Sequence, residues 1–372
     1  MIFNTREIVK YILFLNSKDS MTHGGAEEII RLTAMHFIEQ GDDVHMFFLL
    51  EKRFGHWEKI NKPNLHLYYS SGGGKWGIFS VLRNFWRVHN ITFDYSFSSI
   101  AFNNGLVGLM KRCGILKINH IIGRESTLVF KRFKGLELWF KKLMYRIGYP
   151  AVDTVVCQTD YMRQDLLGEL PWLTKRSKVI VIPNPVDMKA MNDMAAEPID
   201  STRYEPFVVA CGRLHPVKAY DLLLTAFARL LGQYPELNLV ILGEGLERKR
   251  LEDIALDLNI ADRVHMPGEV PNVYPYFKKA ELCAVTSHIE GFPNVLLQMM
   301  SQNERVVSTT CAGGIENIKG LITCKPSDVN ALTETLLKGL QVDVSGNREL
   351  FDMELQSRSI DKFVQKATNV NE

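Results

Sequence analysis

Arg213 and Lys218 stand five residues apart, just past the apolar run Phe207-Val208-Val209-Ala210-Cys211 and its following Gly212. Two cations at the end of a buried strand suit a diphosphate, the guanidinium as a planar fork and the ammonium as a point charge. A pair of solvated surface cations would look the same. A second segment, Ser287-His288-Ile289-Glu290-Gly291-Phe292-Pro293-Asn294-Val295-Leu296-Leu297-Gln298, follows another apolar run. Glu290 falls in the loop, and Gly291 permits close backbone approach. Pro293 fits the first turn of a helix, where its missing N–H costs nothing. The amides from Gly291 to Val295 would then point outward as an anion cradle. Gln298 lies about a turn further on, leaning back toward the helix start. One acid with several free amides suits a ligand carrying hydroxyls and a phosphate; an ordinary loop–helix junction is the other reading. Gly24-Gly25 adds a weaker signal, a glycine loop that either approaches an anion or simply makes a tight turn.

Such residues need strands behind them and helices ahead. Val9 to Leu15 predicts a strand, and Ala26, Ile29, Ile30, Thr33, Phe37 and Ile38 recur at helical spacing up to Gly41. Val44 to Leu50 predicts the next strand, which completes a βαβ unit. Further strands are expected at 94–98, 117–122, 154–157 and 179–182, with a helix from about Asp160. Pro183-Asn184-Pro185 stops both helix and central strand and marks a linker. The pattern then restarts: strands at 207–211, 237–242, 264–266, 282–286 and 306–309, with helices at about 219–231 and 246–258. Gly243-Glu244-Gly245 and Pro267-Gly268 end two of these strands. Two doubly wound α/β domains follow, 1–185 and 186–372, with the last helix able to pack back on the first. Ligands in such folds bind beyond the carboxyl ends of the strands.

The chain has 372 residues, 46% hydrophobic and 23% charged, a globular balance that excludes disorder and a disulfide scaffold. Residues 1–185 hold 25 Lys and Arg against 16 Asp and Glu, a charge of +9; residues 186–372 hold 19 against 26, or −7. The total of +2 gives no reason to expect nucleic acid as a partner, while the basic first half suits something anionic. None of the six cysteines forms a C-x-x-C pair, which fits a reducing compartment and no zinc site. No secretory signal and no apolar run of about 18 residues is read, so a cytoplasmic protein is expected.

Glu290 to Leu297 resembles the glutamate-x7-glutamate motif of the family 4 retaining glycosyltransferases, which have the GT-B fold: two Rossmann-like domains with a cleft between them. The resemblance covers nearly the whole chain. Gly24-Gly25-Ala26-Glu27 looks like the family's first glycine loop, and Ile182-Pro183-Asn184-Pro185-Val186-Asp187 like its interdomain segment. Cys211-Gly212-Arg213-Leu214 with Lys218 looks like its phosphate pair. Leu242-Gly243-Glu244-Gly245 and Val264-His265-Met266-Pro267-Gly268 look like its nucleotide-binding turns. The resemblance implies that Glu290 holds hydroxyls of a donor sugar and that Arg213 and Lys218 neutralise the leaving diphosphate. Gly291, Phe292 and Val295 would offer amides, with Asn294 near the diphosphate. Gly243, Gly245, Met266 and Gly268 would surround the nucleoside. The first domain would bind the acceptor.

The sequence departs from the family in two places. Gln298 stands where the second glutamate belongs, on a helix expected to end near Asn303 in a left-handed turn. Arg124-Glu125-Ser126 stands where many relatives carry a histidine; His120 falls earlier, inside the strand. Arg124 and Glu125 are therefore the acceptor-side candidates, Glu125 as a possible base. Two aromatic-basic stretches, Lys75 to Arg87 and Phe130 to Tyr149, suit either a helix lying on an anionic membrane or a basic helix with a buried aromatic face.

The resulting expectation is a retaining transferase moving sugar from a nucleotide-sugar, with UDP as the carrier, to a membrane-linked glycan of a bacterial polysaccharide such as lipopolysaccharide O-antigen or capsule. It would associate peripherally with the inner face of the cytoplasmic membrane. There is no Asp-x-Asp motif, so no metal or other cofactor is expected. A nucleotide-sugar epimerase of the same fold and a catalytically silent nucleotide-sugar-binding subunit are the alternatives.

Overall fold

The computed structural model describes residues 9–17, 25–50, 55, 57–71 and 75–369. The chain divides into two compact units, Met1–Pro185 with Ile360–Glu372, and Val186–Ser359.

The first unit is built on a parallel sheet. Its strands are β1 (Tyr11–Asn16), β2 (Asp43–Phe48), β3 (Leu65–Tyr69), β4 (Thr92–Ser99), β5 (Lys117–Arg124), β6 (Thr154–Cys157) and β7 (Lys178–Val181). Their spatial order is β3-β2-β1-β4-β5-β6-β7. The helices are α1 (Gly25–Gln40), α2 (Lys75–Arg87), α3 (Ala101–Arg112), α4 (Val129–Arg132), α5 (Gly135–Ile147) and α6 (Asp160–Glu169). α1 buries Ile29, Ile30, Thr33, Ala34, Phe37 and Ile38, the stripe its spacing requires. It ends at Gly41, where φ is +87°, with Gly41 N–H donating to Ile38 O and Asp42 N–H to Phe37 O.

The second unit repeats the plan. β8 (Phe207–Cys211), β9 (Asn238–Leu242), β10 (Val264–Gly268), β11 (Leu282–Val285), β12 (Val306–Thr309) and β13 (Ile322–Cys324) lie in the order β10-β9-β8-β11-β12-β13, all parallel. Its helices are α7 (Met188–Ala195), α8 (Tyr220–Leu230), α9 (Arg248–Asp257), α10 (Tyr274–Lys279), α11 (Asn294–Gln302), α12 (Val329–Gln341) and α13 (Asn347–Gln356). Apolar clusters cover both sheet faces, Val209, Val240, Cys283 and Val306 on one and Val208, Leu239, Ile241 and Ala284 on the other. Buried on both sides, these strands read as continuous apolar runs. The last helix, α14 (Ile360–Thr368), adds Phe363, Val364 and Ala367 to the core of the first unit beside Phe37 and Ile38.

Strand order reverses between β1 and β4 and again between β8 and β11, the switch points at which such sheets bind ligands. Three details differ from the sequence expectation. β3 and β13 were not foreseen; both are edge strands with half-exposed residues. β10 runs on through Pro267, which an edge strand tolerates because the missing N–H faces no partner. Asn303 follows α11 as expected, but its φ is −135°. Its side chain stops the helix instead, donating to Phe277 O and Ala280 O at 2.7 Å each and accepting from Arg305 N–H.

Candidate active site

The loops beyond β8, β9 and β10 lie on one another. Gly212 N–H donates to Leu242 O at 2.9 Å, Leu214 N–H to Glu244 O at 2.8 Å, and Gly243 N–H to Gly268 O at 2.8 Å. Gly243 and Gly245 are glycines for this reason. A Cβ on the first would run into the Gly212 carbonyl, and one on the second into that of Leu214. The carbonyl of Met266, one turn away, accepts from the Arg248 guanidinium at 3.0 Å.

Arg213 is exposed and has no acidic partner among the described residues. Lys218 ends a short turn, Pro216–Lys218, and Ala219 follows at φ +52° before α8. That turn is tied to the loop after β11. Thr286 Oγ1 donates to Lys218 O and His288 N–H to Val217 O, both at 2.8 Å. The side chains meet as well. Lys218 Nζ lies 2.7 Å from Glu290 Oε1, with each side chain 18% exposed. Ser287 Oγ donates to the same oxygen at 3.0 Å. The two strands flanking the switch point thus deliver the cation and the acid that the sequence singled out separately.

Beyond Glu290 the chain turns into α11. The helix begins one residue later than expected, with Pro293 as its cap and Asn294 as its first residue. Among the described residues, no acceptor takes the N–H groups of Gly291 or Phe292, while Leu296 N–H donates back to Pro293 O. The Phe292 ring is core and carries the Arg358 guanidinium 4.9 Å from its centroid, so only its main chain is offered. Val295 packs against the same core. Gln298 Nε2 donates to the Tyr274 hydroxyl at 3.3 Å, leaving its carbonyl oxygen uncommitted. These features combine two cations, a carboxylate and two amides with no acceptor among the described residues, a set whose chemistry could hold a sugar diphosphate and stabilise its departure.

The first-unit candidates stand differently. Gly24 lies outside the described residues, and Gly25 opens α1. Arg124, the last residue of β5, is buried, donating to Ser99 Oγ at 3.2 Å and Asn184 Oδ1 at 2.6 Å; burial pulls its pKa down to about 10. Glu125 is 1% exposed. Tyr145 donates to its Oε2 at 2.8 Å, Tyr149 donates to Oε1, and burial raises its pKa. The sequence offered Glu125 as a possible base. The structure gives instead a sealed carboxyl with both oxygens occupied, because Tyr145 and Tyr149 of the aromatic stretch turn inward. His120 lies within β5, bonded to Thr154 Oγ1.

The other aromatics divide. Phe85 is fully buried, whereas Phe79 and Trp86 are exposed; the side chains of Lys75 and Trp76 lie outside the described residues. On α5, Leu136 is 86% and Trp139 62% exposed, with Phe140 beside them at helical spacing. Of the surrounding cations, Lys131 pairs with Asp165, Lys141 with Glu137 and Lys142 with Glu169, while Lys134 and Arg146 have no acidic partner among the described residues. Sequence reasoning gave no role to Ser287 and did not single out Tyr274 or the enclosure of Glu125 by Tyr145 and Tyr149. The first was within reach, since it sits three residues before Glu290.

Comparison with known proteins accounts for both units. The profile for glycosyl transferases group 1 matches residues 194–344, and that for glycosyltransferase family 4 matches residues 23–190. A Campylobacter jejuni N-acetylgalactosamine-N,N'-diacetylbacillosaminyl-diphospho-undecaprenol 4-alpha-N-acetylgalactosaminyltransferase is 30% identical over 81% of this chain and 81% of its own length. The chain belongs to the family 4 glycosyltransferases. A lipopolysaccharide core biosynthesis glycosyltransferase from Rhizobium meliloti is 29% identical to this glycosyltransferase over 53% of the chain and 60% of its own length. Anabaena HepE in complex with UDP-glucose superimposes with a TM-score of 0.76 at 16% identity, covering 96% of this chain and 98% of the other; the fold is GT-B. Among the described residues no helix is long and apolar enough to cross a membrane.

Proposed function

We propose that this glycosyltransferase moves a sugar from a UDP-sugar, with retention of anomeric configuration, to a lipid-linked glycan in the assembly of a bacterial surface polysaccharide such as lipopolysaccharide O-antigen or capsule. The observation that carries the donor reading is the Lys218–Glu290 pair at the β8/β11 switch point, with Arg213, which has no acidic partner among the described residues, on the loop that leads to Lys218. In this reading the bond from the anomeric carbon to the diphosphate oxygen breaks, and a bond to the acceptor hydroxyl oxygen forms on the same face. Arg213 and Lys218 take up the charge growing on the leaving diphosphate, work that a metal does elsewhere. A leaving oxygen receives the acceptor proton, which suits a site whose one first-unit carboxyl candidate, Glu125, is sealed. Glu290 holds donor hydroxyls.

The acceptor reading is supported by the Campylobacter relative, whose name specifies a diphospho-undecaprenol substrate. It is also supported by Leu136, Trp139 and Phe140, an exposed apolar face with cations on its flanks, which suits peripheral binding to the inner face of an anionic membrane. The test is a screen of UDP-sugars against polyprenyl-diphosphate-linked glycans with EDTA present, followed by NMR of the new linkage. Transfer with retention and without added metal is expected. Inversion, or revival only by Mg²⁺ or Mn²⁺, contradicts the mechanism. Interconversion of the UDP-sugar without acceptor would favour an epimerase.

A further inference from the structure

Ser287 is buried to 1% exposure, and no part of the reading above needs it. Its hydroxyl donates to Glu290 Oε1 at 3.0 Å, the oxygen that Lys218 Nζ reaches at 2.7 Å. Oε1 therefore has two donors, whereas Oε2 has none among the described residues. The loop holding these groups is pinned to the adjoining strand end. Thr309 Oγ1 donates to Ser287 O, and Glu290 N–H donates to Cys311 O, each at 2.7 Å.

The two donors to Oε1 differ in kind. Lys218 is a cation on a flexible four-carbon stem, and a diphosphate gaining negative charge competes for it. A serine hydroxyl swings about one short bond and answers to no charge beyond its own acceptor. If Lys218 alone held Glu290, the carboxylate would lose its orientation just as the leaving group draws the lysine away.

We propose that Ser287 is a positioning residue. It keeps Glu290 Oε1 anchored while Lys218 engages the diphosphate, so that Oε2 stays directed at a hydroxyl of the donor sugar. This rests on the transferase reading above and adds a consequence to it: recognition of that hydroxyl depends on Ser287.

The experiment uses the full chain and the UDP-sugar found active in the screen, together with its monodeoxy analogues and free UDP. In the wild type, one deoxy analogue should lose kcat/KM by about tenfold or more, as expected for a hydrogen bond to a charged group. Ser287→Ala should lower kcat/KM for the intact donor by about tenfold and shrink the deoxy penalty toward unity. Its affinity for UDP, which carries no sugar, should stay within about twofold by calorimetry. Ser287→Cys, nearly isosteric with a weaker donor, should fall between, and it serves if the alanine variant does not fold. An unchanged deoxy penalty, or a loss of UDP affinity matching the loss of activity, overturns the inference while the transferase reading stands. A wild type that turns over no UDP-sugar overturns both.

Discussion

Lys218 and Glu290, 72 residues apart in the chain, share one hydrogen-bonded ion pair at 2.7 Å, and Arg213 on the same loop has no acidic partner among the described residues. The two cations therefore start from different states. In the proposed reaction Arg213 would meet the diphosphate directly, while Lys218 would divide its three protons between the carboxylate and the phosphate.

Arg213→Ala and Lys218→Ala should each lower kcat by ~10²–10³, the usual cost of removing one preorganised charge-stabilising donor. Steady-state kinetics with saturating donor checks this. Either variant keeping more than about a tenth of wild-type kcat would remove that residue from the leaving-group site.

Gln298 should tolerate its acidic counterpart. Its amide nitrogen is engaged with Tyr274, and a carbonyl oxygen remains to accept from a ribose hydroxyl. Gln298→Glu should change donor KM by less than about tenfold, or ~1.4 kcal/mol. Gln298→Ala should raise KM more, and Glu290→Ala should damage kcat beyond either. A silent wild type restored by Gln298→Glu would favour the binding-subunit alternative.

Glu125→Gln should leave kcat within about tenfold of wild type, since loss of a true general base costs ~10²–10⁴. Both Glu125 oxygens already serve buried tyrosines, and a glutamine can keep those partners once the hydroxyls turn. A collapse of kcat with unchanged melting temperature would restore Glu125 to the chemistry.

His45 predicts an acid weakness in the first unit. It lies buried between Tyr68, whose hydroxyl is 3.0 Å from Nδ1, and the ring of His66, with Asp43 the nearby acid and Arg87 acting on Tyr68. Burial first, then repulsion from His66, lowers its pKa to about 4, against a weaker opposite pull from Asp43. A group depressed in the folded state is stabilising above its unfolded value, about 6.5 for histidine, and that contribution is lost as pH falls through 6.5 toward 4. The loss approaches about 3 kcal/mol. Melting curves from pH 7 to 4.5 should show a decline that His45→Gln flattens; parallel curves would count against it.

At the membrane, Leu136→Ser and Trp139→Ser should each weaken vesicle binding by ~1.5–3 kcal/mol. Neutralising Lys134 or Arg146 should cost about 1 kcal/mol on anionic vesicles only, and less at high salt. Lys131, held by Asp165, should matter less. Flotation with neutral and anionic vesicles measures both parts. Serine variants that bind as well as wild type would exclude α5 from the contact.

The central strands and the site loops were legible because both are local signals. Apolar runs such as Leu239-Val240-Ile241 and turn residues such as Gly243 announce themselves within a few positions. Edge strands such as Ile322–Cys324 were not legible, since three half-exposed residues carry no period. The fate of Glu125 was hidden for another reason. Whether a carboxyl lies open or sealed depends on which way Tyr145 and Tyr149 face, and an aromatic-basic helix is compatible with either side until its neighbours are known. The pairing of that stretch's lysines was hidden in the same way: three of them are matched by acids drawn from α5 itself and from α6.

Because α14 supplies Phe363, Val364 and Ala367 to a core otherwise made from the first 185 residues, the order of synthesis runs against the order of completion. On the ribosome most of the first unit is made early but waits for α14, with Phe37 and Ile38 uncovered, while the second unit can close as soon as Ser359 emerges. A stop codon after Ser359 would thus spare the second unit and expose an apolar strip on the first, a lesion that chaperones and proteases would meet before any substrate did.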